Sequence, residues 1–129
     1  MTVRVVIADD QAPFRAAARA VVGAAPGFQL VGEATSGEEA LALVDSLRPD
    51  LVLMDITMAG IGGIEAARSI AAGHPETTTI LLSTYREEDL PDQVRTCGAA
   101  AYLHKSEFGR DALRTLWAAT VTSPLRGRG

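Results

Sequence analysis

The stretch Val3-Arg4-Val5-Val6-Ile7-Ala8-Asp9-Asp10 decides the fold of this chain, because it joins a short apolar run to two carboxylates. The apolar run predicts a buried strand, and the aspartates mark its carboxyl end. Three later runs follow the same plan and end in a carboxylate, a hydroxyl and an ammonium group: 51–54 before Asp55, 80–82 before Ser83 and 101–104 before Lys105. Parallel strands bring their carboxyl ends to one edge, so we expect these side chains to converge in one cleft.

Strand and helix signals alternate along the whole chain, which favours an α/β fold with a parallel sheet. Pro13 suits a first helical turn, and the run Ser36-Gly37-Glu38-Glu39 has the spacing of a capping box. We expect strands at 3–8, 28–34, 51–54, 79–82 and 101–104, and helices at 13–23, 36–47, 63–72, 90–97 and 108–120. The expected architecture is a three-layer, doubly wound α/β domain with five parallel strands.

The size and charge of the chain restrict its function classes. A length of 129 residues suits one domain, which we expect at 1–121, with 122–129 as a flexible tail or the start of a linker. The net charge of -4 argues against direct binding to nucleic acid or an anionic membrane. The single cysteine, Cys97, excludes an intramolecular disulfide and fits a cytoplasmic protein. No apolar run is long enough for a membrane span, and the N-terminus does not resemble a signal peptide.

Three carboxylates at neighbouring strand ends indicate a metal site. Asp9, Asp10 and Asp55 would repel one another unless a cation neutralised them. Magnesium prefers such oxygen ligands, and the backbone carbonyl of Thr57 is placed to complete the set. The alternative for the first two aspartates alone is a solvated turn or a helix cap. Their combination with Asp55 and Lys105 favours the metal site and Mg²⁺ as the cofactor.

The remaining groups complete the requirements of a phosphoryl acceptor. Asp55 supplies a nucleophile, while Lys105 and Ser83 supply a cation and a hydroxyl for the phosphoryl oxygens. Taken singly, the lysine is an ordinary surface charge and the serine an ordinary turn former. The sequence has neither a Gly-x-x-x-x-Gly-Lys loop nor a Gly-x-Gly-x-x-Gly turn after the first strand, so nucleotide binding is poorly supported.

Four motifs resemble the receiver domain of response regulators in two-component signalling. They are Val-Ile-Ala-Asp-Asp at 6–10, Leu-Val-Leu-Met-Asp-Ile-Thr-Met at 51–58, Ile-Leu-Leu-Ser-Thr at 80–84 and Ala-Tyr-Leu-His-Lys at 101–105. The resemblance implies a flavodoxin-like fold with strand order 2-1-3-4-5 and phosphorylation by a histidine kinase. It implies these roles: Asp55 as acceptor, Asp10 as direct and Asp9 as water-mediated magnesium ligand, Thr57 as carbonyl ligand, Ser83 and Lys105 as phosphoryl-binding groups, and Tyr102 as an aromatic switch.

A finer resemblance, to the NarL/FixJ subfamily, rests on Phe-Gln-Leu-Val-Gly-Glu-Ala at 28–34 and on Ser83-Thr84-Tyr85. It implies control of transcription through a LuxR-type DNA-binding domain beyond this chain, and homodimer formation on phosphorylation is a further expectation.

Ser83 and Thr84 compete for the hydroxyl role, and position directly after the apolar run 80–82 favours Ser83. Thr57 and Tyr85 are expected to tune hydrolysis of the acyl phosphate. The alternatives to a phospho-acceptor switch are a phosphorylation-independent interaction module with the same fold and a small aspartate-based phosphohydrolase.

Overall fold

Strands and helices alternate in the computed structural model of the chain, which describes residues 2–122. In chain order the elements are β1 (Val3–Ala8), α1 (Ala12–Ala24), β2 (Phe28–Ala34), α2 (Gly37–Leu47), β3 (Leu51–Asp55), α3 (Gly62–Gly73), β4 (Thr78–Ser83), β5 (Ala101–His104) and α4 (Arg110–Thr122). None of the helices in this part of the chain has the length and apolar character that crossing a membrane would require.

All five strands are parallel and pair in the order β2-β1-β3-β4-β5, which confirms the expected doubly wound sheet. β3 and β4 are buried along their whole lengths, as expected for the continuous apolar runs of a sheet covered on both faces. The chain passes from β1 to β2 on one side and returns to β3 on the other. The carboxyl end of β1, which carries Asp9 and Asp10, therefore lies at the crevice where such sheets bind ligands.

Alternation of side chains along the central strands divides the interior into two apolar cores. One core faces α1 and α4, and its fully buried members include Val5, Ile7, Leu51, Leu53, Ile80, Leu82, Val22 and Leu113. The other faces α2 and α3, and its members include Val6, Val52, Met54, Leu81, Val44, Ala67 and Ile70. The sheet is thus anchored on both faces, and its strand ends are held rigidly enough to position reactive side chains.

The predicted capping box at the start of α2 is present with a small change. Ser36 accepts a hydrogen bond from the Glu39 N–H at 3.1 Å. The Glu39 carboxylate accepts in return from the N–H of Thr35 at 2.6 Å, one residue before the cap. Both contacts satisfy N–H groups that a helix start would otherwise leave unpaired.

The prediction of an α-helix at 90–97 was wrong. Within this segment Asp92–Arg95 form a short 3-10 turn, and another, Glu87–Asp89, precedes it. Pro91 explains why no helix begins at Leu90, because proline disfavours helical backbone in the residue before it; Leu90 is accordingly extended. Within 90–97 the buried side chains are Val94 and Cys97, so an α-helix would gain little apolar burial in compensation.

Other boundaries shift by one or two residues. Asp55 and Ser83 are the last residues of their strands rather than the first residues of the loops. The last helix starts at Arg110 instead of 108, because Lys105–Glu107 form a 3-10 turn and Phe108 remains extended. The expected tail or linker at 122–129 lies outside the described residues, apart from the helical position 122.

At Gly63 the start of α3 lies against the backbone at the end of β3. This contact yields a stability prediction. A Cβ at this position would collide with the Asp55 carbonyl oxygen and lie 2.9 Å from Ile56 Cα. Backbone atoms cannot swing away, so we expect Gly63→Ala to lower the free energy of unfolding in urea by about 1–3 kcal/mol.

The matched control is Gly73→Ala at the end of α3, where a Cβ would have no neighbour within 4 Å. This change should leave stability unaltered or raise it by up to about 1 kcal/mol, because alanine is the better helix former. Equal losses in the two variants would contradict the close approach at Gly63.

Candidate functional site

Lys105 lies between two aspartates at the carboxyl edge of the sheet. Its Nζ is 2.6 Å from Asp9 Oδ2 and 3.4 Å from Asp55 Oδ2. The three side chains are nearly buried, with 9%, 1% and 6% of their surface exposed for Lys105, Asp9 and Asp55. The ammonium offsets the charges of two buried carboxylates that repel each other, so both carboxylates depend on Lys105.

Asp55 is held in an electrostatically costly position. The pKa of its carboxyl group is raised to about 6, chiefly by burial and then by the negative charge of Asp9. Lys105 opposes this rise, as does the Thr57 N–H, whose nitrogen lies 3.4 Å from Asp55 Oδ1. The carboxylate is therefore ionised at neutral pH but poorly solvated. A carboxylate in this state is stabilised by any positive charge or covalent partner that reaches it.

The acidic residues fit a hard divalent cation. Oxygen atoms of Asp9, Asp10 and Asp55 lie within 4.8 Å of one another. Asp9 Oδ1 accepts the Gln11 N–H at 2.8 Å, whereas Oδ2 lies close to Lys105 but at an angle that makes no hydrogen bond, and it has no hydrogen-bond partner among the described residues. One ammonium group is set against three carboxylates in this cluster, so a divalent cation would offset the remaining negative charge. The chemistry of this cluster matches the oxygen ligands that Mg²⁺ prefers.

An open pocket of about 210 Å³ brings the predicted groups together. Its lining residues are Asp10, Gln11, Asp55, Thr57, Ser83, Thr84, Tyr85 and Lys105. The expectation that separate strand ends converge in one cleft is met for Asp10, Asp55, Ser83 and Lys105, which all line this pocket. Asp9 is 1% exposed and adjoins the pocket through its contact with Lys105.

Ser83 and Thr84 both line the pocket, but their settings differ. Ser83 is buried at the end of β4, and its Oγ accepts the Tyr85 N–H at 2.9 Å, which leaves the hydroxyl hydrogen available to a ligand. Thr84 is exposed in the loop that follows. This geometry supports Ser83 for the hydroxyl role.

Tyr102 is half-buried on β5 and packs against the core that faces α2 and α3. Its hydroxyl donates to the Tyr85 carbonyl at 2.8 Å. Burial raises the pKa of the Tyr102 phenol. The predicted switch residue thus already contacts the loop that carries the predicted hydroxyl group.

Two residues that the sequence reasoning missed support the site from α1. The Phe14 ring lies beneath Lys105, with its centroid 4.5 Å from Nζ, and 6.0 Å from the Phe108 ring centroid. Arg15 donates from Nη1 to the Asp9 carbonyl at 2.8 Å, and its Nε is 3.6 Å from Glu33. The sequence feature that could have indicated them is their position in the first turn of α1, four and five residues after Asp10.

Comparison with known proteins agrees with this geometry. Residues 5–117 match the response regulator receiver domain family. This chain belongs to that family. The response regulator GacA of Pseudomonas viridiflava is 38% identical over 103 residues, which cover 80% of this chain and 48% of GacA. The response regulator UvrY of Escherichia coli K12 is 40% identical over 114 residues, which cover 88% of this chain and 52% of UvrY.

Solved structures place this receiver domain in the expected subfamily. The signal receiver domain assigned to the response regulator NarL of Mycobacterium tuberculosis is 28% identical, with a TM-score of 0.86 over 95% of this chain and 98% of that one. The likeness to NarL, GacA and UvrY confirms the NarL/FixJ prediction. The chain spans about half the length of the curated relatives it matches.

The raised pKa of Asp55 predicts a pH-dependent gain in stability for Asp55→Asn. The folded-state pKa of about 6 exceeds the ordinary value of 3.8, so the wild-type fold binds more protons between these limits and loses stability as pH rises through them. Asparagine cannot ionise. In the presence of a chelator, the variant should unfold at a higher urea concentration than the wild type near pH 7.5. This difference in stability should shrink near pH 4.

The exposed carboxylate of Asp92 provides the control, since Asp92→Asn should show no comparable gain at neutral pH. If Asp55→Asn changed stability by the same amount at both pH values, the proposed charge strain at Asp55 would be refuted.

Proposed function

We propose that Asp55 of this receiver domain accepts a phosphoryl group from a phosphohistidine of a histidine kinase. The observation that carries the proposal is a nearly buried carboxylate with a raised pKa whose Oδ2 lies 3.4 Å from the Lys105 ammonium, beside an open pocket. Membership of the receiver family supports it independently.

In the transfer, one Asp55 oxygen forms a bond to phosphorus as the P–N bond of the phosphohistidine breaks. The electron pair of that bond stays on the imidazole nitrogen, which then takes up a proton, and the product is an acyl phosphate on Asp55. Negative charge spreads over the three equatorial oxygens during this step, so the site needs cations and donors rather than a general base.

The acidic residues would hold Mg²⁺ in the way that the family resemblance implies: Asp10 directly, Asp9 through water, Asp55 through its carboxylate and Thr57 through its backbone carbonyl. When bound, the ion would offset the charge of the carboxylates and of the incoming phosphoryl oxygens. The short separations among the oxygen atoms of the three carboxylates support this assignment.

Lys105 and Ser83 would bind the phosphoryl oxygens. Lys105 now contacts Asp9 more closely than Asp55, and a small shift of its flexible chain would pair it with the new phosphoryl group. Ser83 would donate its hydroxyl hydrogen and draw the following loop toward the site. Tyr102 would follow, because its hydroxyl is bonded to the Tyr85 carbonyl in that loop. The phosphoryl group would thereby shift the surface of β5 toward a second conformation.

We infer that the output is control of transcription through a LuxR-type DNA-binding domain, with formation of a homodimer on phosphorylation. The subfamily resemblance supports this inference, as does the coverage of about half of GacA and UvrY. The receiver domain would regulate DNA binding without contacting DNA, consistent with a net charge of -4.

Phosphorylation of the domain by the kinase would take place in the cytoplasm. The domain would not be an enzyme acting on other substrates, although it assists its own phosphorylation and the slow loss of the group.

The first test is incubation with acetyl phosphate and Mg²⁺, followed by intact mass measurement. We expect the wild type to gain one phosphate, and we expect chelator or Asp55→Asn to abolish the gain because the cation or the nucleophile is missing. Asp92→Asn, with an exposed carboxylate outside the pocket, should be phosphorylated normally. No gain by the wild type would refute the proposal and favour a phosphorylation-independent interaction module.

Tyr85 supplies a prediction about the lifetime of the acyl phosphate. Its ring is 44% exposed at the pocket, where it and Thr57 would flank the path of an attacking water. Tyr85→Ala should speed loss of phosphate by at least about twofold by admitting water. Tyr85→Phe should decay like wild type because it keeps the ring. The mass decay after removal of the donor measures both rates, and an unchanged rate in Tyr85→Ala would eliminate this role.

A further inference from the structure

His104 is a half-buried residue at the end of β5 that joins two parts of the site. Its Nε2 lies 3.0 Å from the Thr84 carbonyl oxygen, in the loop directly after Ser83. Its Nδ1 lies 3.1 Å from the Ser106 backbone nitrogen and 2.8 Å from the Ser106 hydroxyl, directly after Lys105. One imidazole ring therefore bridges the residues that follow the two proposed phosphoryl-binding groups.

These partners determine which nitrogen of His104 carries the hydrogen. A carbonyl oxygen such as that of Thr84 can only accept, so Nε2 must donate. A backbone N–H such as that of Ser106 can only donate, so Nδ1 must accept. The Ser106 hydroxyl lies where its hydrogen can share the same lone pair. Only the Nε2–H tautomer satisfies both sides of the ring at once.

The bridge acts on a loop that few other side chains hold. His104 and Tyr102 are two residues apart on β5 and therefore share a face of the strand. They bind successive carbonyl groups, those of Thr84 and Tyr85. The Tyr85 N–H in turn donates to Ser83 Oγ. The position of the Ser83 hydroxyl is thus linked through the loop to both β5 side chains.

We infer that His104 is a positioning residue for phosphoryl transfer: as the Nε2–H tautomer it ties the Ser83 loop to the Lys105 segment, so that hydroxyl and ammonium keep a fixed spacing. This inference rests on the proposed function. Binding of one phosphoryl group by two donors on different strands requires their spacing to be preorganised, and misplacement by a fraction of the contact distance weakens transfer. Tyr102 makes a contact on the loop side alone, whereas His104 reaches both sides.

Three substitutions separate the two halves of the bridge. His104→Leu removes both contacts. His104→Gln places an amide N–H near the position of Nε2 and keeps a donor to the Thr84 carbonyl. His104→Asn places an amide oxygen near the position of Nδ1 and keeps the Ser106 contact only. All three are measured by the initial rate of phosphorylation with acetyl phosphate and Mg²⁺, beside urea unfolding and amide hydrogen exchange.

We expect His104→Leu, His104→Gln and His104→Asn each to slow phosphorylation by about three- to tenfold, the equivalent of one hydrogen bond, because loss of either contact breaks the bridge. The Tyr85 amide should exchange faster by a similar factor in His104→Leu and His104→Asn, which lose the Thr84 contact, while the Leu53 amide in the core should not change. Slow phosphorylation by His104→Gln with unchanged Tyr85 exchange distinguishes the spacing of the two groups from loosening of the loop alone.

A wild-type rate of phosphorylation in His104→Leu, His104→Gln or His104→Asn would overturn the inference. If His104→Leu does not fold, the rates of the other two variants still decide. A two-bond ¹H–¹⁵N spectrum of the wild type provides a further check, and a protonated Nδ1 would also overturn it. If the wild type accepts no phosphate, the proposed function fails, and the tautomer and Tyr85 exchange test the bridge separately.

Discussion

The contact of one ammonium group with two aspartates is the interaction on which this site depends. Lys105 approaches Asp9 to 2.6 Å and Asp55 to 3.4 Å at a nearly dry edge of the sheet. Loss of the lysine from such a buried set would cost about 3–5 kcal/mol, because the carboxylates left behind would be neither solvated nor paired. Phe14 restricts the ammonium further by placing its ring 4.5 Å away. The fold can carry an acidic cluster in this position only because the lysine is held there.

The topology of the sheet explains how residues far apart in sequence form that set. The chain reverses its winding direction at β1, which leaves a crevice at its carboxyl end, and every other strand of the parallel sheet terminates at the same edge. The buried central strands, β3 and β4, end in Asp55 and Ser83. Apolar cores on both faces hold these strands, so their last residues have little freedom. The rigidity of the strand end that carries Asp55 is therefore a consequence of core packing rather than of local contacts in the loops.

The sequence predicted what depends on burial pattern and strand ends. Alternating strands and helices, the sheet and the convergence of Asp10, Asp55, Ser83 and Lys105 all follow from apolar runs with polar ends. The helix expected at 90–97 failed because Pro91 prevents a helical start at Leu90 and the residues after it offer only a weak apolar pattern. The contacts of Phe14, Arg15 and His104 were missed for another reason. Each joins two different elements, and the geometry of such a contact depends on how the helices, strands and loops pack.

The structure separates a firmly held carboxylate, the proposed acceptor Asp55, from a lightly held loop after β4. Asp55 lies on a strand buried along its whole length, and the Lys105 ammonium offsets its charge. The loop after β4, by contrast, is followed by 3-10 turns instead of an α-helix, and two half-buried side chains of β5 bind its carbonyl groups. Segments with few buried apolar contacts are the ones that open at low free-energy cost. This loop can therefore move at a lower free-energy cost than the strand that carries Asp55, because mainly hydrogen bonds oppose the movement.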